Sequence, residues 1–262
     1  MIYNIKKIDD DIFRNSIDHI GREVECYYSG QKDKVLVEPN GSLDGGKIYC
    51  RNTSWIKRGD IIKVSGEWYV VMHMSNLASD IYNVGVINRC DVALKLRLGR
   101  FVYDVPAVAS KYSGNSNVRG VIDDSIEGQL SFITGYHSDF DAMTDNPCIT
   151  VFGKVWQIGN YLNVNNVMTV YCQGVQGSPR PELCVRPIAL EYKVGDSVEL
   201  DIQVLNTTAT DIPDDLRITL SGNVGTIQGN KITFTKSCIT SIMIASTSLN
   251  TYYVTPDIKV TE

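Results

Sequence analysis

Histidine is scarce in this chain. Only His19, His73 and His137 are present, and none stands in H-E-x-x-H or a related metal-binding spacing. The seven cysteines, at 26, 50, 90, 148, 172, 184 and 238, include no C-x-x-C pair, which excludes finger-type zinc sites on spacing. No G-x-S-x-G elbow, no G-x-x-x-x-G-K-[ST] loop and no G-x-G-x-x-G turn occurs. The sequence therefore offers neither a hydrolase nucleophile nor a phosphate cradle. No run of about 18 apolar residues is found, so no membrane span is expected. Residues 1–7 lack the apolar core of a secretory signal. Together these absences predict a chain made in a reducing cytosol, which stays there or leaves without a signal. They predict no enzyme activity, no cofactor, no metal and no membrane contact.

What is present describes an ordinary folded protein. The 262 residues are 43% hydrophobic and 21% charged, too apolar for a disordered tail. Twenty-one glycines and 14 tyrosines against six phenylalanines point to strands and turns. Cys26, Cys90, Cys172 and Cys238 lie in apolar strand-like runs, where a reduced thiol packs as a small hydrophobe. The net charge of −5 argues against a broad electrostatic grip on DNA. It is unevenly spread. From Ala189 to Glu262 five bases face nine acids, giving −4, so residues 1–188 carry only −1. Such a shift marks a domain boundary.

Periodicity predicts a mainly β fold. A short N-terminal helix is expected to start at Asp9, Asp10 and Asp11, whose carboxylates suit a helix N-terminus. Its buried face is Ile12, Phe13, Ser16, Ile17 and Ile20, its end is Gly21, and its role is to cover a sheet edge. Short alternating runs then follow: Val24 to Tyr28, Val35 to Val37, Ile48 to Cys50, Ile61 to Val64, Trp68 to Met72, Ile81 to Cys90 and Val92 to Leu98. With tight turns between them they predict a small antiparallel barrel or roll. Alternation dissolves over 107–128, which reads as a contact loop, and strands resume at Gln129. Ile62–Trp68 is echoed by Ile149–Trp156, each a strand, a Gly turn and a Trp-bearing strand. The expected organisation is therefore a β-rich domain over 1–187, with two barrel-like halves at 20–105 and 129–176. Pro179, Pro181 and Pro187 form a stiff linker. Six or seven short strands follow over 188–262, beginning with an alternating run from Val194 to Val204, and predict a β-sandwich.

The carboxylate clusters at Asp9–Asp11, Asp123–Asp124 and Asp214–Asp215 read as solvated turns, because adjacent acids do not span a cleft. No calcium-loop pattern accompanies them. Arg89, Lys95, Arg97 and Arg100, with Phe101 and Tyr103 alongside, form the best basic cluster. Lys95 and Arg97 share one strand face. They read either as a stripe facing DNA or an acidic partner, or as a solvent face. In the loop, Lys111, Tyr112, Asn115 and Arg119 are the candidate inter-subunit contacts.

Gly59-Asp60-Ile61-Ile62-Lys63-Val64-Ser65-Gly66-Glu67-Trp68, with Tyr82 and Val86-Ile87-Asn88-Arg89-Cys90-Asp91, resembles the neck proteins of tailed bacteriophages of Gram-positive hosts. In that family a Gly-Asp turn leads into a strand, a Gly turn and a Trp-bearing strand, and a later strand ends near Arg-Cys-Asn; here Asp91 replaces the Asn. The likeness is best over 57–100 and looser over 20–175. Val194–Leu200, Gly225–Ile227 and Gly229–Phe234 resemble the opening strand and later hairpin of a bacterial or viral immunoglobulin-like module. The resemblance implies a virion structural protein that forms a homo-oligomeric ring at the head–tail interface and closes the head. It implies portal or adaptor proteins above, tail components below, and contact with passing DNA. It implies assembly in the host cytoplasm, residence in the virion neck, and no catalytic residues. A tail terminator, tube or baseplate protein is the nearest alternative. A surface- or carbohydrate-binding immunoglobulin-like protein is a second.

Overall fold

The computed structural model describes residues 5–39, 44–75, 81–111, 129–142, 148–175, 179–208 and 212–262. Of the described residues 61% are strand and 7% helical, so the fold is mainly β. The chain divides into two compact units. The first comprises Met1–Ala93, Pro106–Ser138 and Gly159–Cys172; the second comprises Leu94–Val105, Asp139–Ile158 and Gln173–Glu262. The expected boundary at 187/188 falls inside the second unit.

The first unit holds a closed six-stranded barrel in the order β1-β2-β3-β6-β5-β4. Its strands are β1 (Arg22–Cys26), β2 (Lys32–Pro39), β3 (Gly45–Arg51), β4 (Ile61–Val64), β5 (Glu67–Ser75) and β6 (Tyr82–Arg89). The pairs Val24↔Val64 and Cys26↔Ile62 close the ring. Val24, Val35, Ile48, Cys50, Ile62, Val64, Val71 and Ile87 fill its core. Small and β-branched side chains suit so narrow an interior. The β4–β5 hairpin turns through Ser65 and Gly66 at φ 50° and 93°, the left-handed pair of a type I′ turn.

Helix α1 runs Ile5–Ile20, so it starts before the Asp triplet. Asp10 lies within it and pairs with Arg14 at 2.7 Å, one turn on. Ile17 is fully buried, and the Phe13 ring lies 4.9 Å from that of Tyr82. Ile12 and Ile20 are instead 59% and 73% exposed. The buried stripe is narrower than expected because a closed barrel has no edge to cover. The helix lies on the barrel wall at β2, and Asp18 pairs with Arg51 at the end of β3 at 2.6 Å.

Strands β7 (Val92–Leu98), β8 (Phe101–Lys111), β9 (Gln129–Gly135), β10 (Cys148–Val151), β11 (Lys154–Val164) and β12 (Val167–Gly174) form one sheet. Its order is β10-β11-β12-β9-β8-β7. Strands β9 to β12 lie in this sheet rather than in a second closed barrel. Residues 107–111, expected in a loop, are strand. Ala109 faces Phe132 and Val108 faces Ile133, so large residues on β9 complement the small ones that weakened the pattern on β8. The echo between hairpins is real at the turn: Phe152 and Gly153 have φ 53° and 70°, the same pair of left-handed positions as Ser65 and Gly66.

The C-terminal part of the second unit is the expected sandwich, built from more and shorter strands. They are β13 (Glu182–Val185), β14 (Glu191–Lys193), β15 (Ser197–Glu199), β16 (Ile202–Leu205), β17 (Arg217–Leu220), β18 (Gly225–Gln228), β19 (Lys231–Phe234), β20 (Cys238–Thr240), β21 (Ile242–Ser246), β22 (Thr251–Val254) and β23 (Ile258–Thr261). Four small sheets result: β13-β16, β14-β23-β20, β15-β19-β18 and β17-β21-β22. Three runs that alternate continuously in sequence each break and change sheet. One breaks at Leu200–Asp201, one at Ser241 and one at Thr255–Asp257. At the last two, Ile242 N donates to Thr255 Oγ1 at 2.9 Å and Thr255 N to Ile242 O at 2.9 Å. Val198, Leu200, Ile202, Ile232, Phe234, Ile242, Ile244 and Ile258 form the core. Val194, expected inside, is 41% exposed.

Candidate functional site

The basic cluster is engaged by the protein itself. Within the second unit, Lys95 Nζ donates to Gln203 Oε1 at 2.7 Å and Arg97 Nη1 lies 3.1 Å from Glu182 Oε2. Arg100 Nη1 donates to Val254 O at 3.4 Å, and the Arg100 carbonyl accepts from Tyr253 Oη at 2.6 Å. Alongside them Arg186 bridges Asp104 and Asp201, the latter at 2.8 Å. In the first unit Arg89 Nε lies 3.3 Å from Glu67 Oε2. The sequence places Lys95 and Arg97 on one strand face but does not reveal the amide and carboxylate partners that β16 and β13 bring to them. Of the proposed contact residues, Tyr112, Asn115 and Arg119 lie outside the described residues. Lys111 ends β8, and its side chain is likewise not described.

An aromatic group marks the first unit. Tyr28 stacks on His137 with ring centroids 4.4 Å apart, and Tyr27 meets Trp68 edge-on at 5.3 Å. Lys63 Nζ sits 5.4 Å from the Trp68 ring. Tyr28 Oη reaches Gly135 O at 3.5 Å. His73 lies at the register shift between Val71 and His73 on β5 and is exposed.

All seven cysteines are free thiols. Burial pushes Cys50 up to about 11, Cys184 to about 11 and Cys90 to about 12. Such thiols are neutral at physiological pH and poor nucleophiles. Among the described residues no three His, Cys, Asp or Glu side chains come together as a metal site, and no helix is long and apolar enough to cross a membrane. A cleft of about 600 Å³ in the second unit is lined by Gly153, Trp156, Pro179, Pro181, Asn206 and Thr207 among others. Trp156 is 7% exposed and its indole N–H donates to Val151 O at 3.2 Å. The ring is thus a wall of the cleft and not a free stacking face.

The feature that sequence reasoning passed over lies on β11. Tyr161, Leu162 and Val164 are 39%, 51% and 47% exposed. Its signal was visible: no charged or histidine residue occurs from Val155 to Pro179. No family model matches the chain, and no curated protein matches it.

Proposed function

We propose that this chain is a structural protein of a tailed-phage virion, a ring-forming connector at the head–tail interface. Portal or adaptor proteins stand above it, tail components below, and packaged DNA passes through. The observation that carries the reading is where the resembling residues fall. Gly59–Cys90 supplies the Gly-Asp turn, β4, the Ser65–Gly66 turn, β5 and β6, a contiguous half of the closed barrel. The C-terminal sandwich supports the second resemblance, an appended immunoglobulin-like module.

Assembly takes place in the host cytoplasm, where buried thiols stay reduced. The ring is held by heterologous contacts, as any closed cyclic assembly above a dimer must be. Quantitative mass spectrometry of purified particles tests this. A small fixed copy number relative to the major capsid protein is expected. Absence from the particles contradicts it, and a copy number of the tail-tube order transfers the chain to the tail.

A further inference from the structure

Within the second unit, Leu94–Val105 meets the C-terminal strands through its side chains and through its backbone. Val102 is buried and belongs to one core with Leu183, Cys184, Val185, Ile244 and Tyr253, and Phe101 packs beside it. Gly99, at φ 61°, turns the chain between β7 and β8, and the next residue, Arg100, is the point of closest engagement. Its carbonyl accepts from Cys184 Sγ at 3.5 Å and from Tyr253 Oη at 2.6 Å, and its guanidinium donates to Val254 O at 3.4 Å. Cys184 lies on β13, whereas Tyr253 and Val254 lie on β22, a strand of a different sheet. One hairpin residue thus clasps two sheets that no described ladder joins.

The flanks of the hairpin are tied as well. Lys95 bonds Gln203 on β16, Arg97 pairs with Glu182 on β13, and Asp104 shares Arg186 with Asp201. These are distant partners, 85 residues apart for Arg97 and Glu182 and 108 for Lys95 and Gln203. Withdrawing the hairpin would take from the buried Tyr253 hydroxyl the carbonyl that accepts its proton, and a buried donor left without an acceptor is destabilising. Burial raises the Tyr253 phenol above its usual value, so it remains a donor at neutral pH. The four C-terminal sheets have only two or three strands each, of three to five residues. Ladders this small are not stable by themselves in water.

We infer that Leu94–Val105 is a built-in clasp of the C-terminal sandwich, so that release of the hairpin and opening of the sandwich core are one event. The other arrangement would be a self-sufficient sandwich with a hairpin strapped to its surface. A surface strap would add exposed residues to one sheet. This hairpin instead puts Val102 into the core and bonds strands of two sheets through a single residue. The stretch from Ala189 onward, which charge and strand pattern mark as a module, is therefore completed by residues that precede it by more than 80 positions. The inference concerns the second unit alone and does not rest on the head–tail reading.

Hydrogen exchange of the full-length chain, followed by mass spectrometry at rising denaturant, tests it. The amides of Leu94–Val105 and those of β13, β16, β21 and β22 are expected to lose protection at the same denaturant concentration, as one cooperative unit. A hairpin that opens first, while those strands stay protected, overturns the inference. Two variants read the coupling from either side. Val102→Ala is expected to speed exchange in β13, β21 and β22 about tenfold. Tyr253→Phe is expected to speed exchange in Leu94–Val105 about fivefold. Met243→Thr, at an exposed position on β21, is the control and leaves both segments unchanged. Acceleration confined to the hairpin in Val102→Ala, or confined to β22 in Tyr253→Phe, contradicts the clasp and leaves the head–tail reading standing.

Discussion

Gly59 and Asn166 approach so closely that a Cβ on Gly59 would lie 2.1 Å from the Asn166 carbonyl oxygen. Gly59 has φ +88°, a conformation that only glycine adopts without strain. Its N–H donates to Val71 O at 2.8 Å. Gly135 stands nearly as close on the other side, since a Cβ there would lie 2.1 Å from Gly59 O. The Gly-Asp turn that carries the family likeness is thus a backbone-on-backbone contact joining the barrel to β9 and to the β11–β12 hairpin within the first unit.

Gly59→Ala is expected to destabilise the chain by about 2–4 kcal/mol, from left-handed strain plus displacement of the Asn166 backbone. Chemical denaturation measures it. A loss within experimental error would mean that the turn relaxes freely.

Asp60, the second half of that turn, accepts from Lys57 N at 2.8 Å. Burial raises its carboxyl above the usual 3.8. A folded pKa above the unfolded one means that ionisation opposes folding. Its contribution is intact below about pH 3.8 and lost as pH rises through the folded value. Asp60→Asn keeps an acceptor and removes the charge. The variant is expected to match the wild type in acid and to exceed it at neutral pH. Thermal melts across the acid range check the sign; a variant weaker at neutral pH contradicts it.

Phe152 occupies a left-handed turn position at φ 53° with 43% of its surface exposed. A bulky side chain is disfavoured there, and asparagine is preferred at this place in a type I′ turn. Phe152→Asn is expected to raise stability by about 0.5–1 kcal/mol. A fall in melting temperature would show instead that the ring packs against something worth more than the strain.

The thiols give a direct readout of burial. In native conditions Cys26, Cys50, Cys172 and Cys184 are buried, and Cys90 and Cys148 are pushed up by desolvation. Disulfide-exchange titration at pH 8 is expected to register far fewer than seven thiols quickly in the folded chain, and all seven in denaturant without reductant. Seven fast thiols in the native chain, or fewer than seven after unfolding, would contradict the packing or the redox state.

Local signals explain what was legible. Ser65-Gly66 between two alternating runs specifies its hairpin by turn chemistry alone, and six strands of the barrel follow from the same logic. The β8 extension was hidden because Ala107, Ala109 and Ser110 have little strand preference, and their pairing depends on Phe132 and Ile133, more than 20 residues away. The sandwich strands were read too long because alternation persists through Leu200, Ser241 and Pro256, where the chain changes sheet. Lys95 and Arg97 looked like a free stripe because their partners, Gln203 and Glu182, come from distant strands. The exposed stretch of β11 left a plain trace, but absence of charge is easily read as core until exposure is known.

Electron microscopy of purified particles is the decisive test of the ring at the head–tail interface. The expected result is a ring of density between capsid and tail into which the six-stranded barrel of β1 to β6 fits, repeated by the ring symmetry. A neck with no density matching that barrel, in particles that lack the chain by mass spectrometry, would contradict it.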